Sequence, residues 1–281
     1  MKIKAALWIL AVLSGYGSAL AGERVALAQV SHIHGIAVDP MDSERLFLAT
    51  HYGLFRASQD GTAERISETG HDLMGFVADP KNPKVFYASG HPQGGGNLGV
   101  LRSADGGVTW KQLARGVKGP VDFHAMAISK GNPSVIYGVH GGLQVSRDGG
   151  NNWEIAGPAP EGVIGLAAGA KNSNLLYAAT RSGLLISRDG GQTWKSAYAS
   201  KAPATMVSTG ADGTVYAYLF PHGLMRSEEG SANWSKLAAL PGISVMLHFA
   251  AAKDAFFAVS QDGSILKSPD GGRTWQPMAV K

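Results

Sequence analysis

Apolar residues in this chain come in short runs, broken by glycine, proline, asparagine and aspartate. Val135–Val139, Leu143–Ser146, Val215–Leu219 and Ala255–Val259 are typical: brief, aliphatic or aromatic, and bounded by turn residues. Such runs predict strands and not helices. The runs group in fours. The first group is an inner strand His34–Val38, then Leu46–Thr50, Gly53–Ala57 and Arg65–Ser67. The second is Gly75–Ala78, Val85–Ser89, Gly99–Arg102 and Trp110–Leu113; the third opens at His124–Ile128, the fourth at Ile164–Ala168, the fifth at Ala204–Ser208 and the sixth at Ser244–Ala250. Asp39-Pro40, Asp79-Pro80 and Asn132-Pro133 supply turn chemistry between first and second strands.

An eight-residue pattern punctuates these groups. It reads Ser103-Ala-Asp105-Gly-Gly107-Val-Thr109-Trp110, and recurs at Ser146–Trp153, Ser187–Trp194 and Ser268–Trp275. A looser copy, Ser227–Trp234, carries Glu229 where the others carry aspartate, and a worn copy without tryptophan spans Ser58–Thr62. The tryptophans are spaced by 43, 41, 40 and 41 residues. A fixed period near forty with four strands per period predicts propeller blades. Within each box, aspartate is expected to accept backbone N–H groups two or three residues on, and the glycines to supply positive φ. Trp110, Trp153, Trp194, Trp234 and Trp275 are expected to open the fourth strands and pack between blades. Asp105, Asp148, Asp189 and Asp270 are therefore structural. The predicted fold is all-β: one six-bladed propeller over residues 22–281, with the boxes on the hairpins between third and fourth strands. Val25–Val30 is left over, and the pattern does not fix which edge it joins.

The pattern resembles the Asp-box, or BNR repeat. Chains with it include exported sialidase-like glycosyl hydrolases and photosystem II stability and assembly factors. The resemblance implies a propeller; it implies either a glycan-cleaving enzyme or a non-catalytic assembly protein.

The absence of cysteine excludes disulfides, thiolate metal sites, cysteine nucleophiles and a lipidated cysteine. Lys2 and Lys4, an apolar Ala5–Leu13 and Ala19-Leu20-Ala21 read as a cleaved signal peptide over residues 1–21. A periplasmic or secreted protein is expected, with no stable membrane span after cleavage. The chain's 25 lysines and arginines lose Lys2 and Lys4 with the leader, leaving 23 against 21 acidic residues. Such a balance offers no footprint for nucleic acid.

Successive turns of an up-and-down blade alternate between its two ends. The boxes share one end with the turns between first and second strands. The other end takes the entries to the first strands, with His32, His34, His71 and His124, and the turns after the second strands, with His51, His91, His140 and His222. Only His248 falls within a strand. Asp72, Asp122, Glu161, Arg115 and Arg181 join the histidine end. First strands line a propeller's channel, so His34, Met74, His124 and Ile164 are expected at its mouth, with His32, Asp72 and Asp122 one step further out. His32 and His34 are expected on one side of an extended chain. Imidazoles with carboxylates suit a transition metal; a small ligand, a glycan or a protein partner are the alternatives for this face.

A sialidase, by resemblance, needs three arginines on the substrate carboxylate, a tyrosine–glutamate pair and an acid. The family's Phe/Tyr-Arg-Ile-Pro motif is absent, Leu54-Phe55-Arg56-Ala57 being no match. Only Arg115 and Arg181 lie on the histidine end. For another glycosidase, Asp72, Asp122 and Glu161 are the candidate acid and base. Nucleophile-elbow, phosphate-loop and dinucleotide motifs are absent. The preferred reading is a non-catalytic exported binding or assembly propeller, and the alternative is a sialidase-like glycosyl hydrolase.

Overall fold

The computed structural model describes residues 21–240, 242–252 and 255–279. The leader read at residues 1–21 lies outside the described residues, Ala21 apart. Six antiparallel sheets form the blades of a propeller. Their inner strands are Ile33–Asp39, Asp72–Ala78, Met126–Ile128, Val163–Ala168, Ala204–Thr209 and Met246–Ala251. Each inner strand touches the next, and the sixth touches the first, so the ring is closed. Among the described residues the one helical turn is Leu27–Gln29, a single 3-10 turn, and no helix is long and apolar enough to cross a membrane.

Apolar side chains fill the spaces between neighbouring blades. Trp153 packs on a core that takes Tyr87 and Val100 from the second blade and Phe123 and Ile136 from the third. Trp110, Trp194, Trp234 and Trp275 occupy the corresponding places at four other blade interfaces. The fourth strands begin one residue after each tryptophan, at Lys111, Glu154, Lys195, Ser235 and Gln276. The ring indole leaves the ladder to reach inward, and in three boxes its Nε1–H donates to a box carbonyl: Gly107, Gly150 or Gly272.

The leftover N-terminal segment does not complete the last blade. Arg24–Ala26 pairs with Thr62–Arg65 and gives the first blade a fifth, outermost strand. The last blade already has its own outer strand, Gln276–Pro277, so its edge is occupied. Packing closes the seam between last and first blades. Leu27, Ile33 and Leu46 meet Phe257, Val259 and Met278 there. Lys267 also donates to Glu44 across the seam, at 2.5 Å.

The four regular boxes share one hydrogen-bond scheme. In the third blade Ser146 Oγ donates to Asp148 Oδ1 and accepts the Gly150 N–H. Asp148 accepts the Asn152 N–H at 2.9 Å and the Asn152 side-chain amide at 2.6 Å. The main backbone contact therefore lies four residues on, because the paired glycines widen the turn by one residue beyond the expected reach. Box glycines also lean on neighbouring turns: Gly149 N donates to Ser134 O and Gly190 N to Asn174 O. Boxes and inner turns thus share one end, as the register requires.

Two copies depart from the scheme. Glu229 is one methylene longer and does not close its own turn. It reaches the previous blade and accepts the N–H groups of Ala170, Lys171 and Asn172. The worn copy Ser58–Thr62 is not a box. Asp60 accepts from Thr62 two residues on, and Ser58 pairs with Thr62 across a plain hairpin turn. The same short turn closes at Asp212 and Asp262.

These turn bonds make the fold acid-sensitive. The Asn152 backbone and side-chain amides hold the Asp148 carboxyl down at about 2, and the Thr274 amide and hydroxyl do the same for Asp270. The Thr193 hydroxyl and amide lower Asp189 as well. A carboxyl lowered by folding contributes stability that is complete above its unfolded value and is lost as pH falls through the folded value. The melting temperature is expected to fall between about pH 4 and pH 2, carboxyl values setting the window. Asp148→Asn removes one such titration, so its fall should be shallower than that of the parent. Parallel curves from calorimetry across that window would contradict this account.

Candidate metal centre

A channel of about 410 Å3 runs along the propeller axis. Ile36, Val77, Ile128, Leu166, Val207 and Phe249 line its apolar length. His34, His124, Ile164 and His248 belong to its wall. Met74 does not, contrary to the register expected from sequence. A bulge between Met74 and Val77 inserts a residue, so Gly75 takes the channel position and Met74 turns into the core. Gly75 has φ +54°, and a Cβ there would collide with the Phe123 carbonyl. Bulges in the first, fourth, fifth and sixth blades sit nearer the mouth, at the first step of the inner strand. In the first blade the extra residue is His34 itself, which is how its side chain comes to leave the core.

The mouth holds two clusters. In the first, His51 Nδ1 lies 2.5 Å from Asp72 Oδ2, and His34 Nε2 lies 3.3 Å from His51 Nδ1 and 3.4 Å from Asp72 Oδ1. In the second, Asp122 Oδ2 sits between His124 Nε2 at 2.7 Å and His91 Nε2 at 2.9 Å. Within each cluster one donor atom per residue lies within 4.8 Å of the other two. Each is a pair of imidazoles with one carboxylate, drawn from two adjacent blades.

The clusters repeat a single construction. A histidine ends the second strand of one blade or directly follows it, His91 or His51. The next blade's inner-strand entry supplies an aspartate, Asp72 or Asp122. Asp72 and His91 are themselves cross-strand partners, which sets the two clusters side by side. Their approach depends on Gly90, where a Cβ would collide with the Asp72 carbonyl.

The electrostatics favour a cation. Asp122 is buried, its side chain 8% exposed, and its Oδ1 has no hydrogen-bond partner; Asp72 Oδ1 is also buried and meets only His34 Nε2, at 3.4 Å. A buried carboxylate oxygen left unpaired is costly. His91 Nδ1 donates to the Gly96 carbonyl at 2.8 Å. A neutral His91 then aims its Nε2 lone pair at the Asp122 carboxylate, which is repulsive unless a proton or a metal ion stands between. The Gly96 hydrogen bond, together with Asp122 and Asp72, accordingly raises the His91 pKa against the effect of burial. A carbonyl that fixes one ring nitrogen and frees the other is the usual support for a metal-bound histidine. Burial lowers His34 to about 4, with His51, His248 and His124 reinforcing and Asp72 opposing. His34 is therefore neutral, and in the ligand form, at pH 7.

The remaining candidates surround these clusters. His32 is exposed, and its ring centroid lies 4.7 Å from that of His51, which also meets the His34 ring at 4.5 Å. His32 and His34 do not share one side of an extended chain. His32 has φ +52°, a left-handed conformation that costs a side-chain-bearing residue about 1–2 kcal/mol. The two rings therefore flank His51. His140 Nδ1 lies 3.2 Å from the Asp122 carbonyl oxygen, behind the second cluster. His222 stacks edge-on against Tyr198 at 5.7 Å, in the fourth and fifth blades. Arg181 and Glu161 are exposed at the fourth blade, outside both clusters.

His248 is the residue that sequence reasoning set apart. The bulge between Met246 and His248 turns it to the channel wall, where its Nε2–H donates to the Ile33 carbonyl at 3.0 Å. Burial lowers it to about 4, with that hydrogen bond opposing. Its place within an inner strand was visible in the sequence, but the bulge was not.

The BNR/Asp-box repeat is matched over residues 185–196. Among solved structures, the gluconolactonase XC5397 from Xanthomonas campestris is similar at TM-score 0.64 and 13% identity, over 88% of this chain and 89% of that one. The GH74 xyloglucanase of Xanthomonas campestris is similar at TM-score 0.57 and 18% identity, over 91% of this chain and 46% of the enzyme. The Niastella koreensis GH74 enzyme gives TM-score 0.58 and 15% identity, over 92% and 46%. This chain thus spans less than half the length of either GH74 structure. No curated protein sequence matches it. At these identities the likeness is one of fold. The chain is a six-bladed propeller that carries a matched BNR/Asp-box repeat.

Proposed function

We propose that this protein is an exported, non-catalytic propeller that binds divalent transition-metal ions at its channel mouth. The observation that carries the reading is the pair of adjoining clusters, His34–His51–Asp72 and His91–Asp122–His124. Imidazole with carboxylate suits zinc, copper, iron or nickel, and softer sulfur ligands are absent from both sets. The unpaired Asp122 Oδ1 and the fixed His91 tautomer support a cation over a purely structural network.

The glycosidase reading is less well supported. It needs an acid and a base on opposite sides of a sugar bond. Asp72 and Asp122 are instead each held by imidazoles at 2.5–2.9 Å, and Glu161 stands apart on the fourth blade. A protein partner on the same face is favoured by one observation. Exposed Tyr52, Ile164 and Phe220 all lie at the mouth end.

Protein purified from the periplasm without chelators is expected to carry about two equivalents of a transition metal per chain, by elemental analysis. The apo protein should regain them from zinc or copper(II) in calorimetric titration. A chain that takes up neither metal would exclude the reading and leave the partner surface to explain the face.

A further inference from the structure

The two clusters differ in how far one histidine of each is enclosed, His34 against His124. In the first cluster the side chains of His34, Asp72 and His51 are 19%, 16% and 39% exposed. In the second, His124 is 67% exposed, and an ion there would face solvent on that side. Each set supplies three protein donors, whereas zinc held firmly by protein takes four. Beyond the first cluster a fourth imidazole is already at hand. His32 stands one ring away from His51, exposed and free to rotate about its side-chain bonds.

The backbone at His32 is the second observation. The protein holds a side-chain-bearing residue at φ +52° immediately before Ile33. Ile33 is anchored from two directions, its side chain in the seam core and its carbonyl on His248. The left-handed turn therefore aims the His32 ring back over the cluster. Glycine would satisfy this turn without steric penalty. Strain of this kind kept at a ligand cluster points to use of the side chain.

We infer that His32 is the fourth ligand of the first centre, closing it as a retaining site of three histidines and one aspartate. The second centre, lacking such a residue, is an open site that exchanges its ion. His140, the nearest further imidazole to the second centre, has its Nδ1 at the Asp122 backbone and not at the cluster's open side. This inference rests on the metal reading above and adds the distinct roles of the two sites.

The test uses the full mature chain loaded with zinc(II) and mixed with the chromogenic chelator 4-(2-pyridylazo)resorcinol. Wild type should release two ions in two phases of equal amplitude, one fast and one slow. His32→Gly and His32→Asn should both still bind two ions, with the slow phase accelerated at least about tenfold, the lower range for losing a residue that supports a metal site. Glycine relieves the left-handed strain, and asparagine tolerates it, so neither apo variant should melt below wild type. A slow phase unchanged in either variant overturns the assignment of His32, as does a single wild-type phase that neither variant alters. Loss of the slow phase in the glycine variant alone also overturns it, since the effect would then come from the backbone. Wild type that binds no zinc overturns the metal reading, and this inference with it.

Discussion

Trp153→Ala is expected to destabilise the fold by about 3 kcal/mol, the low end for aromatic truncation in a core. The ring is half-buried, so the upper end does not apply. It lies 5.0 Å from the fully buried Phe123 ring and against Leu113, at the joint between second and third blades. Its Nε1–H also donates to Gly150 O at 2.8 Å, tying the box to that joint. Phe123 cannot move to fill the space, because its ring already covers Gly138 where a Cβ would meet it at 2.6 Å. A cavity therefore remains. For a domain of this size the melting temperature should drop by roughly 6–12 °C. A drop of less than about 2 °C in calorimetry would mean that the tryptophans do not hold the blades together. Metal content should be unchanged, because the indole touches neither cluster.

The repeat was legible because it is written in chemistry that only one local structure satisfies. Ser146, Asp148 and Trp153 each meet a backbone group of their own turn, so spacing alone predicts the hairpin. The face assignment followed from counting turns, and it placed His34, His51, His91, His124, Asp72 and Asp122 together. What the sequence did not reveal depends on where blades meet. Asp72 reaches His51 and Asp122 reaches His91 across an interface between blades, and no local spacing encodes that angle. The bulges are equally silent. One residue of slip exchanges Met74 for Gly75 at the channel and turns His248 toward it. The left-handed His32 could not be foreseen either, since alternation in a strand would have put it beside His34. The worn copy at Ser58–Thr62 was misleading because Asp-x-Thr closes a short hairpin as readily as it begins a box.

Asp72→Asn combined with Asp122→Asn should abolish binding of both metal ions while leaving the apo protein no less stable. The two substitutions keep shape and remove charge. Each centre then keeps two neutral imidazoles and an amide oxygen against a dication, and affinity should fall by at least about 100-fold, the upper range for losing a merely supporting group. The apo state gains what the holo state loses. Asp122 is a buried carboxylate with one oxygen unpaired, and an uncompensated buried charge opposes folding. After Asp122→Asn the side-chain amide donates to the imidazole Nε2 atoms that flank Asp122 Oδ2 at 2.7 and 2.9 Å, so the hydrogen bonds survive without the charge. Excess zinc should raise the melting temperature of wild type, since a ligand bound only by the folded state stabilises it by about 2.7 kcal/mol at a hundred times its Kd. The double variant should show no such rise. Each single variant should retain one ion, Asp122→Asn in the first centre and Asp72→Asn in the second. A double variant that still takes up two zinc ions with wild-type affinity would remove both carboxylates from the site, and the metal reading would lose its charge balance.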